Sequence, residues 1–281
     1  MKRYGVGAVL FGFALSLAGC GPEKALPTDL LKSGSGPVQS TVPTKSDPEA
    51  LAVIDQAVKA FTGGKPELLA KGKYCRVATE GLMYSVVSST PSIEATRAID
   101  AAWPDKIHFT NNGQGPENKM AVESWLRRPE FVVVHNGAEH RPANPAEWEQ
   151  NLASDFVGQV WMAFLLPPTD PKAVVFEPQT ITLEHRDLKL VKLSLREHPV
   201  YQLYFDAKSS ALVRVEYTIT ETGVPRRTTM IFSDHKPGPD GLLLPYRLEC
   251  LHNKSVVEKW AVKKWEFPET IKDDEFMPKK K

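Results

Sequence analysis

The sequence predicts an α+β domain in which one large antiparallel sheet packs against helices. Two segments repeat apolar residues at helical spacing, and most of the remaining chain alternates polar and apolar residues or is rich in β-branched and aromatic residues. The strand candidates follow one another through short turns, which favours antiparallel pairing. Because neither a second linker nor an internal repeat is found, residues 47–281 are predicted to form a single domain.

Residues 1–19 have the pattern of a secretory signal peptide. Lys2 and Arg3 precede an apolar run that is too short to span a bilayer permanently. The run ends in Leu17-Ala18-Gly19-Cys20, which resembles a bacterial lipobox. That resemblance implies that Cys20 becomes the lipidated first residue of the mature protein. The alternative is an ordinary signal peptide in which Cys20 stands by chance.

Residues 20–46 are predicted to form the lipidated cysteine and a flexible tether. The segment is rich in Pro, Gly, Ser, Thr and Lys, so it cannot bury enough apolar surface to offset the entropy of ordering. Gly21 follows Cys20, and by analogy with enteric lipoproteins this favours the outer membrane. We therefore expect a protein that is anchored in the cell envelope and faces the periplasm.

The first predicted helix begins at Asp47, an N-cap residue followed by Pro48, and ends at Gly63-Gly64. Its apolar positions recur at helical spacing: Leu51, Ile54, Val58 and Phe61. The second predicted helix runs from Asn144 to Leu166, before two prolines. Its last turns are apolar on every side, so they must be surrounded by protein.

The strand candidates occupy most of the remaining chain. Before the second helix they are Tyr74–Ala78, Leu82–Ser88, Lys106–Thr110, Met120–Leu126 and Phe131–His135. After it they are Ala173–Phe176, Ile181–His185, Leu188–Leu195, Val200–Phe205, Ala211–Thr220, Arg226–Ser233, Leu242–Leu251 and Val256–Phe267. Pro245 lies inside one of these candidates and predicts a sheet edge or a bulge there.

Composition and motifs give little support to catalysis, metal binding or nucleic-acid binding. The net charge is +1, from 35 basic and 34 acidic residues, so no nucleic-acid partner is expected. His135 and His140 flank Glu139, but Asn136-Gly137 between them is a hairpin signal, which we favour over a metal site. We expect no cofactor, no metal and no catalytic residue.

Cys75 and Cys250 are the two cysteines that remain when Cys20 is lipidated. Each lies in a strand candidate, and an oxidising compartment would allow them to form a disulfide if their strands were neighbours. Two buried free thiols are the alternative.

A resemblance to the LolA/LolB superfamily of periplasmic lipoprotein carriers and receptors extends from about Pro48 to Phe276. It is carried by the strand and turn succession Pro199–Asp206, Leu212–Tyr217, Phe232–His235, Asp240–Pro245 and Ile271–Phe276. The resemblance implies an incomplete antiparallel β-barrel, a half-barrel whose open side is covered by helices. It also implies an apolar cavity that receives acyl chains.

Six apolar residues are candidate ligand-binding positions in such a cavity: Trp161, Phe164, Leu165, Phe205, Val215 and Phe232. If the helical cover fits tightly, the same residues are simply core. The expected function is binding of acyl chains or another hydrophobic ligand, in lipid or lipoprotein trafficking. The alternatives are an envelope interaction or sensor module that binds a protein segment on the concave sheet and, third, an enzyme.

Overall fold

The computed structural model describes residues 42–84, 92–115 and 119–278, together with two short strands near the N-terminus, β1 (Val9–Leu10) and β2 (Phe13–Ala14), which pair with each other. Cys20, the rest of the predicted signal peptide, the tether up to residue 41 and the last three lysines lie outside the described residues.

The main sheet contains thirteen strands, and every pairing in it is antiparallel. Before the second helix the strands are β3 (Tyr74–Met83), β4 (Ile93–Ala102), β5 (Lys106–Gln114), β6 (Lys119–Arg127), β7 (Glu130–His135) and β8 (Ala138–His140). After it they are β9 (Val174–Leu183), β10 (Arg186–Ser194), β11 (Tyr201–Asp206), β12 (Leu212–Glu221), β13 (Val224–Pro237), β14 (Leu243–His252) and β15 (Ser255–Glu266).

The first strand of this sheet along the chain, β3, lies in the middle of the sheet, and the last strand, β15, pairs with it. The strand order is β8-β7-β6-β5-β4-β3-β15-β14-β13-β12-β11-β10-β9, so β8 and β9 form the two edges and the sheet is open. The second helix connects one edge strand to the other. An open antiparallel sheet covered by helices confirms the predicted α+β half-barrel.

Helix α1 (Pro48–Thr62) follows the prediction at both ends. Asp47 Oδ1 accepts a hydrogen bond from the backbone N–H of Glu49 at 2.7 Å, and Gly63 ends the helix in the left-handed conformation. Ile54 and Phe61 are buried on the face that packs against the sheet. The capping residues therefore fix the helix where its apolar stripe can be covered.

Helix α2 (Pro145–Gln159) ends earlier than the predicted Leu166. The chain continues as 3-10 turns at Trp161–Phe164 and Pro167–Thr169, and Leu165 between them has a φ of 56°. Val160, with φ −114° and ψ −60°, departs from regular helical geometry, so the apolar run after it continues as tighter turns. All residues from 151 to 168 are buried, as the apolar pattern requires. We call residues 145–169 the covering segment.

Strand β4 is absent from the sequence prediction. Its residues, IEATRAIDAA, include several of low β propensity, and the buried face carries Ala95, Arg97, Ile99 and Ala101. An arginine on the buried face hides the usual alternation. Strand β3, by contrast, joins two predicted segments into one strand that ends at Met83.

Asn136 and Gly137 form the predicted hairpin turn between β7 and β8, with φ angles of 48° and 82°. His135 and His140 therefore lie on two paired strands. No group of residues suited to holding a metal ion is present in the part of the chain that the structure describes.

Of the two alternatives for Cys75 and Cys250, the structure has the buried free thiols and not the disulfide. Their strands β3 and β14 are separated by β15. Cys250 lies opposite Glu258, which lies opposite Met83 at the far end of β3 from Cys75. At the rise of a strand this places the two thiols about 26 Å apart, whereas a disulfide needs Cα atoms within about 7 Å.

Candidate functional site

The interior lies between the inner face of the sheet and the covering segment. The structure brings the six predicted ligand-binding residues together in one buried hydrophobic cluster: Trp161, Phe164, Leu165, Phe205, Val215 and Phe232. None of them is more than 3% exposed. The ring of Phe164 meets the ring of Trp265 edge-on, with centroids 5.3 Å apart. We call this apolar part of the interior the apolar compartment.

The apolar compartment is filled by protein side chains. Leu165 and Phe232 line a cavity of about 20 Å³, together with α1 residues Ala57 and Phe61. That volume holds about one water molecule, whereas ligand pockets usually measure about 300–1,000 Å³. In this conformation the six residues therefore form a core. An acyl chain could enter only if the covering segment or the aromatic rings moved.

A buried ionic network attaches the covering segment to the C-terminal half of the sheet. Arg226 of β13 donates to Asp155 of α2 at 2.7 Å and to Glu221 at 2.9 Å. The hydroxyl of Tyr217 donates to Asp155 at 2.6 Å. Burial opposes the charge on Arg226, but Asp155 and Tyr217 hold its pKa above the ordinary value. We call this group the Arg226 network.

His252 extends the Arg226 network and stays neutral. Its Nε2 lies 2.9 Å from Nη1 of Arg226. Burial, and then the charge of Arg226, lower the pKa of His252 to about 3. Nε2 of the neutral imidazole can accept a hydrogen bond from the Arg226 guanidinium, which keeps its proton, so this contact needs no second charge.

A second buried ion pair lies on the N-terminal half of the sheet. Arg97 of β4 donates to Glu258 of β15 at 2.8 Å and to Asn111 of β5 at 2.7 Å, and its guanidinium lies 4.1 Å from the ring centroid of Trp260. We call this group the Arg97 network. Near it, three buried side-chain atoms make no hydrogen bond within the described residues: Thr79 Oγ1, Asn111 Nδ2 and Ser124 Oγ.

The sequence analysis missed both networks. In β13, Arg226, Thr228, Met230 and Phe232 alternate on one face, so the strand pattern itself places Arg226 inside. The alternation in β13 could therefore have predicted from the sequence that Arg226 is buried. The partner of Arg226 could not be found in this way, because Asp155 lies on a helix distant in sequence.

A cleft of about 470 Å³ opens where four connections between elements of the half-barrel meet. Four connections form it: the β4–β5 turn with Trp103, the β6–β7 turn with Arg128, the residues before β9 with Lys172, and the β10–β11 loop with Arg196 and His198. We call it the rim cleft. It was not predicted, because its residues come from four separate parts of the chain.

Arg128 attaches the rim cleft to the covering segment. Its guanidinium forms an ion pair with Glu149 of α2 and donates to Gln150 Oε1 at 3.0 Å. Nδ1 of His198 lies 3.2 Å from the Ser154 hydroxyl oxygen, and burial lowers the pKa of His198 to about 4, with Arg128 adding to the shift. Helix α2 is thus held by Arg128 on one side and by Arg226 on the other.

No family model and no curated protein sequence matches the chain. Solved structures do match: a LolA superfamily protein from Nitrosomonas europaea has a TM-score of 0.51 and 10% identity, covering 82% of this chain and 97% of that one. A DUF1329 family protein from Desulfovibrio piger has a TM-score of 0.47 and 8% identity, covering 83% and 98%. The chain therefore has a LolA-like fold, the open barrel with a helical cover. Within the described residues, no helix combines the length and apolar character needed to cross a membrane.

Proposed function

We propose that this protein is an envelope lipoprotein that binds acyl chains or another hydrophobic ligand in the apolar compartment, without transforming it. The observation that carries the proposal is the open sheet whose inner apolar face is covered by helices, one of which, α2, is joined to the sheet only through the two edge strands. Such a cover can move without breaking any strand pairing, because α2 connects the two sheet edges. The resemblance to lipoprotein carriers and receptors supports the same role.

Charge and packing favour the apolar compartment over the two networks as the binding region. An acyl chain that replaces apolar side chains leaves no polar group unpaired. Displacing the Arg226 or Arg97 network would instead leave a buried charge without its partner, which is costly. Ligand binding is therefore assigned to the surroundings of Phe164, Phe205 and Phe232.

The predicted lipidation of Cys20 would anchor the protein to a membrane, with the outer membrane favoured. Residues 20–46 would then let the domain act at a distance from the bilayer. A permanently anchored protein suits an acceptor or a locally acting lipid binder better than a carrier that shuttles freely.

The second candidate function is an interaction or sensor module. The filled apolar compartment favours it, because a cavity of about 20 Å³ has no room for an acyl chain in this conformation. A protein segment could instead bind at the edges of the open sheet, β8 or the part of β9 beyond Val175, whose own backbone groups are bonded to Ser46 and Asp47.

Native mass spectrometry distinguishes the two functions. The chain from residue 42 contains the whole main sheet, both helices and the hydrophobic core, so it folds on its own. It would be exported to the periplasm behind a cleavable leader, and its noncovalent lipids would be extracted and identified. A stoichiometric acyl ligand supports the proposal.

Phe232→Ala and Leu190→Ala form a matched pair for this experiment. Phe232 lies in the apolar compartment, whereas Leu190 is buried in a small cluster with Leu188, Tyr204 and Val213, apart from the main core. Enlarging the apolar compartment should raise the bound fraction of acyl ligand, and Leu190→Ala should leave it unchanged. A ligand-free mass for all three proteins, with no uptake of added myristate, would refute ligand binding and favour the interaction module.

A further inference from the structure

The rim cleft has the size and the charged groups of a small-ligand site. Its volume of about 470 Å³ lies within the range of ordinary ligand pockets. Arg128, Lys172 and Arg196 reach it from three different connections. Lys172 makes no ion pair with any residue that the structure describes, and Arg196 is largely exposed beside Glu197. Lys172 is thus unpaired among the described residues, and Arg196, whose Nε lies 3.9 Å from Glu197 Oε1, is held only by an exposed ion pair that a ligand can replace at little cost.

The rim cleft borders on the apolar interior through two of its lining side chains, Trp103 and Leu195. Trp103 lines the cleft, and its ring meets the ring of Trp161 in the covering segment edge-on, with centroids 5.5 Å apart. Leu195 lines the cleft and belongs to the main hydrophobic cluster. A tryptophan with one side toward water and one toward apolar groups is typical of a boundary where amphiphiles bind.

Acidic groups balance the cations around the rim cleft. Asp105, Asp170 and Glu197 also line it. Asp170 is engaged by the backbone N–H of Lys172 at 2.8 Å, and Glu197 lies 3.7 Å from Arg128. The cations and carboxylates are interleaved, so the cleft offers charge-assisted donors to a phosphate and acceptors to an ammonium group within one small region.

We propose that the rim cleft binds the phosphate-bearing headgroup of an amphiphile whose acyl chain occupies the apolar compartment. This inference rests on the proposed function and names the ligand class of the same interior. Lys172 and Arg196 contact the phosphate, and the acyl chain passes beside Trp103 toward Trp161. Arg128 is a positioning residue: its ion pair with Glu149 and its hydrogen bond to Gln150 hold α2 beside the cleft.

Binding of four probes to residues 42–281 tests the proposal, at concentrations below micelle formation. The probes are myristoyl lysophosphatidylglycerol, myristoyl lysophosphatidylethanolamine, monomyristoylglycerol and glycerol 3-phosphate. Calorimetry should give both lysophospholipids dissociation constants about tenfold lower than that of monomyristoylglycerol, because charge-assisted hydrogen bonds are added. Glycerol 3-phosphate should bind far more weakly, since it lacks the chain.

The double variant Lys172→Gln, Arg196→Gln should raise the dissociation constants of both lysophospholipids about tenfold and leave that of monomyristoylglycerol unchanged. The control variant Lys208→Gln, Lys254→Gln removes the same charge from exposed turns that do not line the cleft, and it should change the dissociation constant of no probe. Equal binding of all three acylated probes, unaffected by the double variant, would overturn the headgroup site while the proposed function stands. Tight binding of glycerol 3-phosphate would assign the cleft to soluble phosphate compounds. If no acylated probe bound, both proposals would fail.

Discussion

The apolar compartment and the two ionic networks occupy the same inner face of the sheet, are buried to a similar degree and are stabilised in different ways. Strand β13 alone shows the contrast: Arg226 and Thr228 belong to a network, and Phe232 belongs to the apolar compartment. Burial of Phe232 stabilises in proportion to its area and needs no particular partner. Burial of Arg226 is tolerated only because Asp155, Glu221 and His252 surround it.

The contrast explains how ion pairs can fix the position of α2 while the apolar side chains beneath the covering segment remain replaceable. Ionic contacts fix α2 in one position, since few other arrangements would satisfy Arg226 and Arg128. Apolar contacts beneath Trp161 and Phe164 are not directional, so other apolar groups of similar volume can replace them. A ligand would therefore exchange with the aromatic contacts before it disturbed the ion pairs.

The largest expected effect follows from breaking the Arg226 network. Asp155→Ala leaves Arg226 buried without its closest carboxylate and removes the acceptor of the Tyr217 hydroxyl. We expect a loss of about 3–5 kcal/mol in the free energy of unfolding, measured by urea denaturation. Asp155→Leu combined with Arg226→Met should recover most of it, because apolar side chains replace the fully buried ion pair and the remaining carboxylate, Glu221, is partly exposed to water. A double variant as unstable as the single one would contradict this account.

The next largest effect is expected in the apolar compartment. Phe232→Ala removes a ring that is 1% exposed and should cost about 3 kcal/mol of unfolding free energy. Unlike the loss from Asp155→Ala, this loss should be reduced by added myristate, since a bound chain fills the new space. Denaturation with and without myristate checks this, and an equal response of Leu190→Ala would show that the effect is not specific to the interior.

The next prediction concerns the pH dependence of stability that His252 gives to the Arg226 network. Burial keeps the pKa of His252 at about 3, so the folded protein stays unprotonated there, while the unfolded chain takes up a proton near pH 6.5. Stability should fall as pH falls from about 6.5, by up to about 1.4 kcal/mol per pH unit for this group. His252→Gln should flatten the slope of unfolding free energy against pH, and the exposed His185→Gln should not. Equal slopes for all three proteins would refute the assignment.

The sequence predicted the apolar parts of the molecule well and the charged parts poorly. Asp47 and Gly63 define α1 by local chemistry, and the apolar run after Val160 already required burial. The networks depend on pairs such as Asp155 with Arg226 and Arg97 with Glu258, which join residues far apart in the chain. A buried arginine looks like a surface residue until its partner is known, and for that reason β4 was missed.

The smallest expected effect concerns the Arg97 network, where the buried arginine is hydrogen-bonded and the neighbouring hydroxyl of Thr79 is not. Thr79 lies opposite Arg97, which lies opposite Asn111, in one row across β3, β4 and β5. Arg97 is satisfied by Asn111 and Glu258, but the Thr79 hydroxyl is buried without a hydrogen-bond partner among the described residues. Leaving a polar group in that state costs about 1–3 kcal/mol, so replacing it by a methyl group of similar shape removes the cost.

Thr79→Val should therefore be neutral or raise the free energy of unfolding by about 1 kcal/mol, whereas Asn111→Leu, which removes an acceptor from Arg97, should lower it. Thermal and urea unfolding of the two variants measure the difference. If Thr79→Val instead destabilised the protein as much as Asn111→Leu, the hydroxyl would have a partner such as a bound water. The interior beside Arg97 would then be hydrated, and it would differ from the apolar compartment in its solvent as well as in its charges.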